Sequence, residues 1–253
     1  MHSVKYLLFS ILLLNGVDLP AQNITVMSYN IHHGADQDEK DQLAAIGAFI
    51  KASRADIIGL QEVDSICTRT SGVDQMKELA QLTGMYYAFV RHYAYQGGAY
   101  GMGILSRYPI EEVDNKRMSL LKSKTPSTAM ISAVIRLPKN KKVRFASAHF
   151  ALDDSSRMVQ AREAVNYLGT DRYPVILTGD LNATPGTPEI QYLESYFTGT
   201  DPKQIMTYPA PVATKKIDYI LVSKKNLVSV KQHQVPITDL SDHLPVIAAI
   251  EIK

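Results

Sequence analysis

Five polar clusters, each at the end of an apolar run, constrain the fold of this chain more than any other feature. Ile24-Thr-Val-Met27 leads into Ser28-Tyr29-Asn30, Ile57-Ile-Gly-Leu60 into Gln61-Glu62, and Val143-Arg-Phe-Ala-Ser-Ala148 into His149. Val175-Ile-Leu-Thr178 leads into Gly179-Asp180-Leu181-Asn182, and Ser241-Asp242-His243 precedes Leu244-Pro-Val-Ile-Ala-Ala-Ile250. Short apolar runs bounded by polar residues read as core strands whose ends emerge at the rim of a sheet. Binding and catalytic groups are often held at such ends. The clusters contain carboxylates, carboxamides and imidazoles, with no serine or cysteine nucleophile beside a base. That inventory suits a divalent cation, an activated water and an anionic substrate.

Between these runs, strand and helix signals alternate. Ile24–Asn30 is followed by helical spacing at Leu43, Ile46, Phe49 and Ile50, then by the strand Asp56–Leu60. A second helix is expected from Asp74 to Leu82, closed by Gly84, leading into the strand Tyr86–Val90. Glycines crowd Gln96–Gly103, which reads as a surface loop over the site, before the strand Ile104-Leu105 and a turn at Tyr108-Pro109. Tyr95 to Gly103 is where specificity is expected. Thr128–Leu137 and Lys142–His149 form a hairpin, and a helix runs from near Ser155 to Gly169. The remaining strands are Val175–Thr178, Ile217–Val222, Leu227–Val230 and Leu244–Ile252. Helices alternating with strands early and hairpins later predict an α/β fold of the α+β kind: mixed, mostly antiparallel sheets with helices outside, not a doubly wound parallel sheet.

The chain has 253 residues, 45% of them hydrophobic, enough for one large core. No linker divides it, so residues 22–253 are expected to form a single domain and a monomer. The first 21 residues read as a secretory signal peptide: Lys5, then the apolar stretch Tyr6–Leu14, the breaker Asn15-Gly16 and a small residue at Ala21. The stretch is short for a membrane span. A secreted or periplasmic protein with no transmembrane segment after cleavage is expected; the alternative is an uncleaved anchor or a disordered tail. Cys67 is the only cysteine, which excludes an internal disulfide. A net charge of +2, from 27 basic and 25 acidic residues, argues against a stable nucleic-acid partner, which would need a basic face. Transient contact with DNA or RNA by an enzyme remains open.

Glu62 ends an apolar strand, where a carboxylate needs water or a cation to offset its desolvation. Mg²⁺ or Mn²⁺ is the natural partner, because hard cations take oxygen ligands and Mg²⁺ keeps most of its waters. Asn30 offers a carbonyl oxygen to the same ion. Asp180 and Asn182 project to one side of a strand end, where the acid can accept a proton from water and the amide can fix that water's orientation. An Asx-turn that merely ends the strand is the plainer alternative. Asp218 opens another apolar strand and is paired here with His243, leaving Asp242 to face the metal. His149 would supply a second donor to phosphoryl oxygens. Arg69 could reach a phosphate, although a lone loop arginine is more often a surface residue. Asp153 and Asp154 read as caps of the next helix. The adjacent His32 and His33 suggest zinc, but no third imidazole or cysteine stands at zinc-ligand spacing and that assignment is set aside.

Taken in order, Tyr29-Asn30, Leu60-Gln-Glu-Val63, Gly103-Ile-Leu-Ser-Arg-Tyr-Pro109, Ala148-His149, Gly179-Asp-Leu-Asn182, Ile217-Asp218 and Ser241-Asp-His243 resemble the endonuclease/exonuclease/phosphatase superfamily. The resemblance spans nearly all of the chain beyond residue 21. It implies a four-layer α-β-β-α sandwich of two packed sheets and one Mg²⁺- or Mn²⁺-dependent site. It also implies Glu62 as the principal metal ligand beside Asn30 and Asp242. By the same likeness, Asp180 and Asn182 act on the water, and Asp218, His243 and His149 hold the phosphate. The expected activity is hydrolysis of phosphodiesters from nucleic acid, lipid headgroups or small molecules. A phosphomonoesterase of the same fold and a non-catalytic surface-binding module are the alternatives.

Overall fold

The computed structural model describes residues 21–122, 129–224 and 228–252. The expected signal peptide, the expected strand start at Thr128 and that at Leu227 lie outside the described residues. Among the described residues, twelve strands form two six-stranded sheets. The first sheet contains β1 (Gln22–Asn30), β2 (Ile57–Ser65), β3 (Tyr86–Tyr95), β4 (Gly98–Ser106), β11 (Val228–Gln234) and β12 (Val246–Ile252), in the order β11-β12-β1-β2-β4-β3. The second contains β5 (Ile110–Arg117), β6 (Ala129–Arg136), β7 (Lys142–His149), β8 (Val175–Asp180), β9 (Phe197–Gly199) and β10 (Asp218–Ser223), in the order β5-β6-β7-β8-β10-β9.

Each sheet has one parallel pair at its centre, β1 with β2 and β7 with β8, and antiparallel neighbours elsewhere. A helical crossover joins each parallel pair, as parallel strands require: α1 (Leu43–Ser53) in the first sheet and α3 (Asp154–Leu168) in the second. The helices α2 (Gln75–Thr83) and α4 (Pro188–Tyr196) complete the outer layers. Side chains alternate along a strand, so each sheet presents two faces. Ile24, Val26, Ile57, Ile131, Phe145, Ile176 and Ile220 fill the space between the sheets. Met27, Ile58 and Leu60 pack outward with Ile46, Ile50 and Leu79 of α1 and α2. On the opposite outer face, Ala146, Ala148 and Leu177 meet Ala161, Val165, Ile190 and Leu193 of α3 and α4. Three apolar layers between four layers of secondary structure make the expected α-β-β-α sandwich.

Local chemistry sets the helix ends. Asp74 accepts from the Lys77 amide at the start of α2, and Gly84 ends it at φ 72°. Asp153 caps α3 by accepting from the Ser156 amide at 2.9 Å. One expectation is corrected: the glycine-rich stretch Gln96–Gly103 is not a surface loop but the Gln96-Gly97 turn and most of strand β4. Its glycines serve close packing. A Cβ on Gly101 would meet the Phe89 ring at 2.9 Å, and one on Gly98 would press into the Ile66 backbone at 2.5 Å. No described helix is long and apolar enough to cross a membrane.

Candidate active site

The central strand ends bring the polar clusters together. In the first sheet Asn30 sits beside Gln61 across the parallel pair, and in the second His149 sits beside Asp180. Asp218 pairs with Asp180 from the other side. The two sheets meet here through a buried polar seam, in which Gln61 Nε2 donates to Ser147 Oγ at 2.7 Å. Gly59 leaves room for it, since a Cβ there would reach Ser147 Oγ at 2.9 Å.

A bulge aims Glu62. Leu60 pairs with Gly103 and Val63 with Gly101, so Gln61 and Glu62 together oppose the single residue Met102. Glu62 takes φ 57°, a left-handed conformation that non-glycine residues keep only where the surroundings enforce it. Its half-buried carboxylate turns into a cavity of about 1020 Å³, also lined by His149, Asp180, Asn182, Asp242 and His243. Asn182, at φ 48°, reaches the same cavity while donating Nδ2 to the Phe150 carbonyl at 2.9 Å. Its amide donates to Asp180 Oδ1 at 3.0 Å, so the Asx-turn and the site coexist.

Hydrogen bonds tie these groups into one network. Asn30 Nδ2 donates to Glu62 Oε1 at 2.9 Å and to Asp180 Oδ2 at 3.1 Å, while Asn30 Oδ1 accepts from the His32 amide at 3.0 Å. The Asn30 carbonyl oxygen thus accepts from the backbone, and its Nδ2 bridges the two acids. Asp180 Oδ2 also lies 3.4 Å from His149 Nε2 and 3.7 Å from His243 Nε2. Behind it, His243 Nδ1 is 2.9 Å from Asp218 Oδ2. Ser241 Oγ fastens this segment to strand β1 by donating to the Asn30 carbonyl at 2.8 Å. Asp242 lines the cavity but stands outside the tight group of Glu62, His149 and Asp180, whose ligand atoms lie within 4.8 Å of one another.

Burial and neighbouring charge pull these groups in different directions. Burial drives Glu62 upward, but His149, the Asn30 hydrogen bond and His243 outweigh it and leave the carboxyl below its usual range. Asp180 is fully enclosed, and burial, reinforced by Asp218, raises it despite the two imidazoles. For His243, burial opposes the charged ring, yet Asp218, Asp180 and Asp242 together hold it up to about 10. Among the described residues Asp218 Oδ1 is buried without a hydrogen-bond partner, and His243, on Oδ2, is the cation beside this acid.

Tyr208 and His92 line the cavity without any signal in the sequence. The Tyr208 ring stacks at 4.7 Å on His243, delivered by a loop between strands. His92 lines the wall and is pushed down to about 3, first by burial and then by His149. Tyr100 lines it too, within the stretch where specificity is expected. Arg69 is not a phosphate ligand here: its guanidinium clasps buried Asp64 at 2.6 and 2.9 Å and lies 4.8 Å from the Tyr95 ring centroid. His32 and His33 gather with Glu39 beyond the end of β1.

Comparison with known proteins agrees with this geometry. Residues 27–243 match the model of the endonuclease/exonuclease/phosphatase family. The chain is 26% identical over 246 residues to the Escherichia coli protein named "Uncharacterized protein YbhP", covering 90% of this chain and 96% of that one. A Bacteroides vulgatus endonuclease/exonuclease/phosphatase structure superposes with a TM-score of 0.76 at 18% identity, covering 92% of this chain and all of the other (100%). A mannosyl-6-phosphatase from Bacteroides thetaiotaomicron superposes with a TM-score of 0.74 at 20% identity, covering 90% and 99%. With its strand ends gathered around one cavity and the family model matched from end to end of that arrangement, this chain belongs to the endonuclease/exonuclease/phosphatase family of phosphoester hydrolases.

Proposed function

We propose that the protein is a divalent-cation-dependent phosphodiesterase that hydrolyses its substrate by direct attack of water. One observation carries this: Glu62, His149 and Asp180 present ligand atoms within 4.8 Å of one another at the wall of an open cavity, with the Asp218–His243 pair behind them. The donor set fits a hard cation, because Glu62 and Asp242 line a cavity with space for the several waters that Mg²⁺ or Mn²⁺ retains. Such an ion would supply charge neutralisation at the phosphoryl oxygens.

The residues divide the remaining work. Asp180, raised by burial, is the stronger base for it and takes the proton of the attacking water, with Asn182 orienting that water. His243 gives its Nδ1–H to Asp218, so that its Nε2–H is left to face a phosphoryl oxygen as charge develops. His149 is a second donor on the same side. Asn30 holds Glu62 and Asp180 in register with each other.

Arg157 is held by Glu189 at 2.6 Å and the Leu152 carbonyl at 2.6 Å, but Lys122 and Lys215 line the cavity beside the two imidazoles, so the site can meet the charge of a diester or of a monoester. The likeness to a mannosyl-6-phosphatase favours a second reading, a phosphomonoesterase of the same site. Export, expected from the N-terminal segment, would direct either activity to phosphoesters outside the cytoplasm. Turnover of bis-p-nitrophenyl phosphate, DNA, sphingomyelin and p-nitrophenyl phosphate with Mg²⁺, Mn²⁺ and EDTA tests the proposal. Metal-dependent cleavage of diesters ahead of monoesters is expected; the reverse order selects the monoesterase, and no turnover of any ester overturns both.

A further inference from the structure

Two residues past Asn30 the backbone turns through His32–Gly34, and His32 and His33 both take left-handed angles, φ 44° and 45°. Side chains rarely accept that conformation without enforcement. It sets the two rings together, with centroids 4.3 Å apart. Both Nε2 atoms then face one carboxylate, at 2.9 Å from His33 to Glu39 Oε2 and 3.6 Å from His32 to Glu39 Oε1. A hydrogen bond accounts for the first separation but not for the second.

A cation shared by the three groups would fit both. Four-coordinate Zn²⁺ with bonds of about 2.0–2.2 Å sets neighbouring ligand atoms about 3.3 Å apart, and the two observed separations bracket that value. All three ligand atoms lie within 4.8 Å of one another. A cavity of about 140 Å³ lined by His33, Glu39, Asp41 and Gly34 adjoins them, with space for water as a further ligand. Arg69 also lines it, but its guanidinium is committed to Asp64. The reach of Glu39 back to the histidines depends on the turn at Asp36, whose Oδ1 accepts from the Asp38 and Lys40 amides at 2.9 and 3.0 Å. Two imidazoles and one carboxylate are the donors of a borderline ion, unlike the oxygen-rich cavity of Glu62.

We propose that His32, His33 and Glu39 form a second cation site, for Zn²⁺ or a similar borderline divalent ion, separate from the cavity of Glu62 and Asp180. The site would have a structural consequence for its neighbour. The His32 amide donates to Asn30 Oδ1 at 3.0 Å, and this bond turns Asn30 Nδ2 toward Glu62 and Asp180. An ion on His32 would therefore pin the backbone that orients Asn30.

Titrating the full chain with Zn²⁺ by calorimetry and with Co²⁺ by visible absorption tests this, using Glu62→Gln as the parent so that the catalytic cavity is weakened. The parent is expected to bind a single equivalent and to develop the ligand-field bands of Co²⁺ held by nitrogen and oxygen. Adding Glu39→Gln, at an exposed side chain, or His32→Gln should weaken binding at least about 100-fold, with far-ultraviolet circular dichroism unchanged. Undiminished affinity after Glu39→Gln overturns the site. So does the absence of Zn²⁺ binding in the Glu62→Gln parent; wild-type binding that this parent loses would assign the ion to the catalytic cavity.

Discussion

Replacing Asp218 with asparagine keeps the shape of the side chain and removes the charge 2.9 Å from His243 Nδ1. That charge is the largest of the influences holding the buried ring up to about 10 against its own desolvation. Without it the ring falls toward its ordinary value of 6.5, with burial pressing it down and Asp180 and Asp242 still supporting it. At pH 8 a ring titrating at about 10 is roughly 99% charged, whereas one titrating at about 6.5 is roughly 3% charged. If charge on His243 stabilises the phosphoryl oxygens, protonation alone lowers kcat about 30-fold at pH 8 in Asp218→Asn. At pH 6 most of that loss is recovered. Any loss from poorer ring orientation is independent of pH and cancels when the two pH values are compared, leaving a ratio of about 20-fold. The same linkage bears on stability. The folded value lies above the unfolded one, so the pair stabilises the fold fully below about pH 6.5, and the contribution fades as pH rises toward about 10, reaching about 5 kcal/mol at most. Steady-state kinetics from pH 6 to 9 and ¹H–¹⁵N correlation spectra of the imidazoles read the two effects. An equal loss at pH 6 and pH 8, or a His243 in the wild type that titrates near 6.5, refutes the reasoning.

Asn30→Ala should leave the fold intact and lower kcat about 100-fold, because Glu62 and Asp180 lose their shared donor; stopped assays with circular dichroism as control check this. Phe145→Ala empties the centre of the inter-sheet core and should cost about 3–5 kcal/mol, a fall of roughly 10 °C in Tm by calorimetry. Gly59→Val forces a Cβ into Thr178 Oγ1 and to within 2.9 Å of Ser147 Oγ, and should cost about 1–3 kcal/mol in urea unfolding.

The catalytic end of the fold was legible because strand ends announce themselves. Ile57-Ile-Gly-Leu60 is buried throughout and Glu62 emerges after it, as Asp180 emerges after Val175–Thr178. Pairing partners are a different matter. The bulge at Glu62 depends on how β4 opposes β2, and nothing local in Gln61-Glu62 records it. The first half of strand β4, ahead of Ile104-Leu105, was hidden by its own glycines, which are needed where Gly101 passes under Phe89, yet read as loop residues. The edge strand β5, Ile-Glu-Glu-Val-Asp-Asn-Lys-Arg, is mostly exposed and charged, so it carries no apolar alternation to detect. Helix α4 offers one signal, Pro188 in its first turn, with no apolar periodicity strong enough to mark the rest. The direction of the Asn30 amide and the return of Glu39 to His32 and His33 are tertiary facts that no spacing rule contains.

Crystals soaked with Mn²⁺ and inorganic phosphate would show ion and anion together, because anomalous scattering distinguishes manganese from water and lighter ions. An anomalous peak is expected against the Glu62 carboxylate, with the phosphate between it and His149 and His243. Phosphate bound elsewhere, or a cavity that holds no ion at saturating Mn²⁺, would contradict that expectation.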